Sequence, residues 1–135
     1  RVLMARDAQQ MVSYLRQGKV DWITETSATA LAFEERAGAQ PLVRAVRGGF
    51  ERYRSVIFVR SDSGIDGLMQ LQGRVIAFQN PLSTSAYFLP AADLLGAGLR
   101  MAIQASPLER PPSQFVGYAF AQSEGNQLTW VRKGL

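Results

Sequence analysis

The chain has 135 residues, 47% of them hydrophobic and 19% charged, the proportions of a folded globular domain rather than of a disordered segment. With no Cys and no His, Ser-His and Cys-His nucleophiles, thiol redox chemistry, haem attachment and Cys/His zinc sites are all excluded within it. A net charge of +4 leaves nucleic acid, a membrane surface or a small anion open as partners.

The opening Arg1-Val2-Leu3-Met4 lacks an initiator Met and a leader pattern, as expected of a mature protein or a fragment. Residues 1–5 read as a short strand. Asp7 then caps a helix, Gln10 completes a capping box, and Ala8, Met11, Val12 and Leu15 recur at helical spacing until Gly18. Residues 20–23 return as a strand, and Thr24, Glu25, Thr26 and Ser27 form a polar turn into a helix over residues 28–37, closed by Gly38.

Residues 40–46 are a third strand candidate and residues 53–60 a stronger one, with Val56-Ile57-Phe58-Val59 at its centre. That run is far short of the ~20 apolar residues of a membrane helix. Arg44, Arg47, Arg52, Arg54 and Arg60 cluster here and read either as a solvated strand face or as a phosphate-tracking stripe. Few aromatics are interleaved as a stacking platform would require, so nucleic acid is not the expected partner. Strands alternating with helices of about 10–12 residues indicate an α/β fold around a mostly parallel sheet, with its site in the loops at the strands' carboxyl ends.

A short helix over residues 65–71 stops at Gly73, and residues 75–78 have the β-branched content of a buried strand. Asn80-Pro81 is a turn, and Ser83-Thr84-Ser85 opens a helix in which Pro90 forces a kink or restart. A helix starting at Ser83 aims free N–H groups and a positive dipole end off the strand's carboxyl end, the outline of an anion site. Ser83 is equally read as an ordinary cap, and one cap suffices; the other two hydroxyls then need another account. Residues 99–103 form a short extended segment and residues 115–120 a strand. Ser123 caps a last helix with Leu128, Val131 and Leu135 on one face. Two lobes, residues 1–55 and 56–135, joined at the strand over residues 53–60, is the organisation read from this order.

Gly18-Lys19-Val20-Asp21-Trp22, Tyr53-Arg54-Ser55-Val56-Ile57-Phe58-Val59 leading into Asp62-Ser63-Gly64-Ile65, Leu71-Gln72-Gly73-Arg74-Val75-Ile76-Ala77-Phe78 and Ser83-Thr84-Ser85-Ala86-Tyr87-Phe88-Leu89-Pro90 resemble the phosphate, phosphite and phosphonate substrate-binding proteins of ABC transporters. The likeness spans nearly the whole chain, with Glu124-Gly125-Asn126 and Trp130-Val131-Arg132-Lys133-Gly134 matching a later lobe-two helix. It implies a type II periplasmic-binding-protein fold of two partial lobes closing by a hinge, an extracytoplasmic location, an ABC permease as partner, and no enzymatic role, cofactor or metal.

The resemblance also implies that Ser83, Thr84 and Ser85 hold the oxygens of a small oxyanion, that Thr24, Glu25, Thr26 and Ser27 line the cleft from lobe one, and that Ser123 or Glu124 approaches from lobe two. Ala86 stands where the family has Gly, and Glu25 where many members have an aromatic; beside an oxyanion, Glu25 would have to hold a ligand ammonium or point away. The chain is expected to lack the family's opening strand and helix and to stop at Gly134-Leu135 where a further strand begins. Exposed sheet edges covered by a second copy or by flanking sequence follow from that. The alternative role is the ligand-binding ectodomain of a membrane sensor. An enzyme is the weakest reading, since Glu25, Glu34, Glu35, Glu51 and Glu124 show no spacing that implies acid/base work.

Overall fold

A computed structural model describes residues 2–46 and 48–135. They divide into two compact units, one running up to Tyr53 and one from Arg54 onward. The division falls two residues before the expected lobe boundary after residue 55.

In the first unit, helix α1 (Ala8–Arg16) begins where the capping pattern puts it. Asp7 accepts a hydrogen bond from Gln10 N–H at 2.8 Å, and the Gln10 side chain reaches back to Arg6 N–H at 2.9 Å, one residue before the position of a regular capping box. Helix α2 (Ser27–Ala37) ends at Gly38, whose φ of 67° is the left-handed conformation that glycine adopts without strain. The two helices pack together, burying Val12, Thr29 and Phe33, and Arg16 Nε donates to the Arg36 carbonyl at 2.7 Å in the last turn of α2.

The second unit is built on a three-stranded parallel sheet of β1 (Val75–Phe78), β2 (Arg100–Ile103) and β3 (Phe115–Phe120), in the order β1-β3-β2. Leu71, Phe78, Leu94, Leu99 and Val116 form its core, with Leu94 and Val116 fully enclosed at 0% exposure. Residues 65–71 are only partly helical: a 3₁₀ turn covers Leu68–Leu71. A π-helical turn, Thr84–Phe88, leads into α3 (Leu89–Gly96), and α4 (Glu124–Lys133) follows β3. The restart required by Pro90 is therefore present, with Pro90 in the first turn of α3, where a missing N–H costs nothing.

Four strand expectations fail. Residues 2–5, 20–23, 40–46 and 53–60 join no ladder among the described residues, and Arg1 lies outside those residues. β-propensity describes fit to a pleated surface, and a ladder also needs a neighbouring strand to receive its N–H and C=O groups. Leu42 and Val43 are 82% and 92% exposed, so that segment has neither neighbour nor cover in its unit. Residues 54–58 keep the alternation of an extended chain, Ser55 and Ile57 half-buried against exposed Arg54, Val56 and Phe58, with Ile57 packed on the core. The apolar face expected on α4 is also poorly covered, since Leu128 and Leu135 are exposed and only Val131 is half-buried. No helix among the described residues is long and apolar enough to cross a membrane.

Candidate functional site

Adjacent parallel strands deliver their outgoing loops to one end of the sheet. Phe78 of β1 lies in register with Phe120 of β3, and beyond that pair Gln122 N–H donates to the Gln79 carbonyl at 2.7 Å, tying the two exits together. Each exit then turns into a helical segment opened by a serine. Ser83 Oγ accepts from Ala86 N–H at 3.1 Å, and Ser123 Oγ accepts from Asn126 N–H at 3.1 Å. Two helix amino-terminal ends, with their unsatisfied first N–H groups and positive dipole ends, therefore lie off the carboxyl ends of neighbouring strands.

The β1 exit is heavily organised. Asn80 Oδ1 accepts from Leu82 N–H at 2.9 Å in an Asx turn, and Ser83 N–H donates to the Asn80 carbonyl. Phe88 N–H donates to the Ser83 carbonyl five residues back, which widens the first turn to a π turn. In an α-helix the Ala86 carbonyl would accept from residue 90. Pro90 has no N–H, and the Ala86 carbonyl accepts from Gln79 N–H at 3.4 Å. The hydroxyl-bearing turn is thus bonded back to the end of its own strand.

The three hydroxyls part company here. Ser83 is 9% exposed and its side chain is spent on the cap, while Thr84 and Ser85 are half-buried in the first turn. Ser85 also lines a cavity of about 380 Å³ that runs along β1, between that strand and residues 54–60; neither Ser83 nor Thr84 lines it. Arg54, Arg60, Arg74 and Arg110 border this cavity, and Arg60 is paired with Asp62, whose carboxyl it holds below the usual range by hydrogen bonding. Arg44 and Arg52 are exposed in the other unit, and Arg47 lies outside the described residues.

Behind the turn stands an aromatic group. Tyr87 meets Phe78, Phe88 and Phe120 at ring-centroid distances of 5.0 Å each, and Tyr118 at 6.0 Å. Burial pushes the Tyr87 phenol above its ordinary pKa, and its hydrogen bond with Tyr118 acts in the same direction. These contacts fix the floor on which Thr84 and Ser85 are carried.

The remaining expected residues fall in two places. Glu124 sits beside Ser123 in the first turn of α4 and is exposed. Thr24, Glu25, Thr26 and Ser27 belong to the first unit, at the start of α2. Glu25 is exposed and accepts from its neighbour Thr26 N–H at 3.3 Å; Thr26 occupies the cap position without a side-chain cap bond, its hydroxyl lying 3.4 Å from that of Thr29. Sequence reasoning overlooked Gln79 and Gln122. Gln122 has φ of 67°, a left-handed conformation that costs a non-glycine residue free energy and that clusters at binding sites. Its only signal was position, between a strand's last residue and a serine cap.

The whole chain, residues 1–135, matches the family described as the phosphonate periplasmic substrate-binding proteins of ABC transporters. The chain belongs to this family. Two solved structures of XAC2383 from Xanthomonas citri resemble the chain over 99% of its residues, at 41% identity. One, bound to chloride ion, superposes with a TM-score of 0.88, and the other, bound to ATP, with 0.87. The match covers 48% and 49% of those chains, so this member of the family spans about half the length of these relatives. Its mixture of helices and parallel sheet is that of a partial periplasmic-binding-protein fold.

Proposed function

We propose that this chain is part of a periplasmic solute-binding component of an ABC transporter, and that it holds phosphonate, phosphite, phosphate or a similar small oxyanion at the turn opened by Ser83. One observation carries the reading beyond family membership: the parallel pairing of β1 with β3 places Ser83-Thr84-Ser85 and Ser123 at the same end of one sheet. Ligands of open α/β sheets bind outside the carboxyl ends of strands, and an oxyanion gains there from helix-end N–H groups and hydroxyls. In this reading Ser83 shapes the turn, while Thr84 and Ser85 contact the ligand with backbone and hydroxyl donors. Ser123 and Glu124 approach from the β3 exit. The permease partner and the extracytoplasmic location belong to the same proposal.

The ATP bound in one XAC2383 structure supports a second ligand class for the same turn, a nucleotide held by its phosphates. Titration calorimetry on the full-length protein with phosphate, phosphite, methylphosphonate and ATP separates the two. The expected result is saturable binding of one class, weakened about tenfold or more by Ser85→Ala combined with Thr84→Val, as loss of hydrogen bonds to a charged ligand requires. Binding of none of the four, or binding indifferent to the double substitution, overturns the proposal.

A further inference from the structure

The pairing of β1 with β3 continues past the last strand residues. Ala121 N–H donates to the Phe78 carbonyl at 2.8 Å, and Gln122 N–H donates to the Gln79 carbonyl at 2.7 Å. Successive N–H groups of an extended strand point to opposite edges, so two neighbouring N–H groups serving the same neighbour mark the place where β3 leaves its pleat. Gln122 takes the left-handed conformation there, at φ 67°. Every other positive φ among the described residues belongs to a glycine.

Hydrogen bonds on both sides hold Gln122 in that conformation. Before it, the Ala121 carbonyl accepts from Asn126 Nδ2 at 2.7 Å, so the first turn of α4 reaches back to the end of β3. After it, Ser123 Oγ accepts from Asn126 N–H at 3.1 Å, and the Ser123 carbonyl accepts from Gln127 N–H at 3.1 Å. A strained backbone persists where its surroundings over-determine it, and such strain gathers at binding sites. The Gln122 side chain is exposed, and none of these bonds uses it. Its partner Gln79 is a junction: the carbonyl receives Gln122, while the N–H donates to Ala86 in the turn that carries Thr84 and Ser85. One backbone path, from Ala86 through Gln79 and Gln122 to Ser123, therefore joins the two hydroxyl-bearing exits.

We infer that Gln122 is a positioning residue for the oxyanion site: its left-handed backbone, and not its side chain, sets where the turn at Ser123 and Glu124 stands relative to Thr84 and Ser85. The inference rests on the proposed oxyanion reading and adds a residue that contributes without touching the ligand. Glycine and asparagine enter this conformation at little cost, whereas a β-branched residue does not. Donors held in place beforehand bind more tightly than donors that must first be brought there.

The full-length protein is titrated by calorimetry with phosphate, phosphite, methylphosphonate and ATP, unsubstituted and as Gln122→Val, Gln122→Gly, Gln122→Asn and Asn126→Ala. For whichever of these binds the unsubstituted protein, Gln122→Val is expected to weaken binding at least tenfold. Asn126→Ala, which releases the Ala121 carbonyl with residue 122 unchanged, is expected to weaken it about fivefold. Gln122→Gly and Gln122→Asn are expected to bind within twofold of the unsubstituted protein. Retained hydrogen-exchange protection of the Gly117 amide shows that a variant's sheet is intact; should Gln122→Val lose it, Asn126→Ala decides. Unchanged affinity in intact Gln122→Val and Asn126→Ala overturns the inference, since a purely structural role moves stability alone. A loss in Gln122→Gly equal to that in Gln122→Val overturns it too, as the mark of side-chain contact. Both outcomes leave the oxyanion reading standing, whereas absence of binding by the unsubstituted protein defeats that reading and this inference together.

Discussion

The two units differ in what their structure depends on. Up to Tyr53, the two helices are set locally: α1 and α2 follow from a cap, a helical apolar spacing and a terminal glycine, and among the described residues little besides Val12, Thr29 and Phe33 is buried. From Arg54 onward, a parallel sheet, whose pairings join residues more than ten positions apart in sequence, encloses Leu94 and Val116 completely. Helix signals succeed in both units, whereas strand signals succeed only where a partner strand is present. A strand is a property of two segments, and a helix a property of one.

That contrast is broken most forcefully through the core. Leu94→Ala is expected to cost about 2–5 kcal/mol, as cavity-forming substitutions in closed cores do. Hydrogen exchange on the intact chain would show the loss across β1, β2 and β3, with the amides of α1 and α2 unmoved. An equal response in both units would mean that they unfold as one. Gly117→Ala tests the sheet from the opposite direction, since a methyl at Gly117 would lie 3.0 Å from Pro111 Cγ and 3.2 Å from Gln104 Cγ. Overpacking of about 1–3 kcal/mol is expected, read as a lowered urea midpoint of the sheet signal.

In the first unit the comparable lever is a cap. Asp7→Ala is expected to cost α1 about 0.5–2 kcal/mol, visible as faster exchange at Gln10 and Met11 and nowhere in the sheet. The smallest effect concerns pH. Because the Tyr87 phenol is raised above its ordinary value of 10.0 in the folded state, it favours folding below that value, and the contribution disappears as pH rises through the folded pKa. Thermal melts between pH 9 and 12 are expected to show a downward slope for the second unit that Tyr87→Phe flattens.

Much of this was legible in advance, for reasons that separate cleanly. Asp7, Gly38 and Ser123 act on residues within five positions, so their roles could be read from spacing. The strand over residues 75–78 was legible because an apolar β-branched run ended in a turn pair, and the restart at Pro90 because a missing donor has a fixed consequence. The strands expected over residues 20–23, 40–46 and 53–60 carried the same local signature, and composition records nothing about whether a neighbour exists. At the site, Ser83 fits the cap reading in its side chain, while Ser85 reaches a cavity wall that spacing could not foretell. Gln79 and Gln122 escaped notice because their importance comes from the register of β1 on β3, a relation between positions forty-three residues apart.

Pro90 shows how a deficit in one element becomes a fastening in another. By withholding a donor it frees the Ala86 carbonyl, and the Gln79 amide at the tip of β1 takes it up. The loop between them is thereby closed into a ring of eight residues, Gln79 through Ala86, clasped where a continuous α-helix would have left it open. A residue usually counted as a breaker serves here as the buckle, and Pro90→Ala would undo it by offering the helix its own bond back.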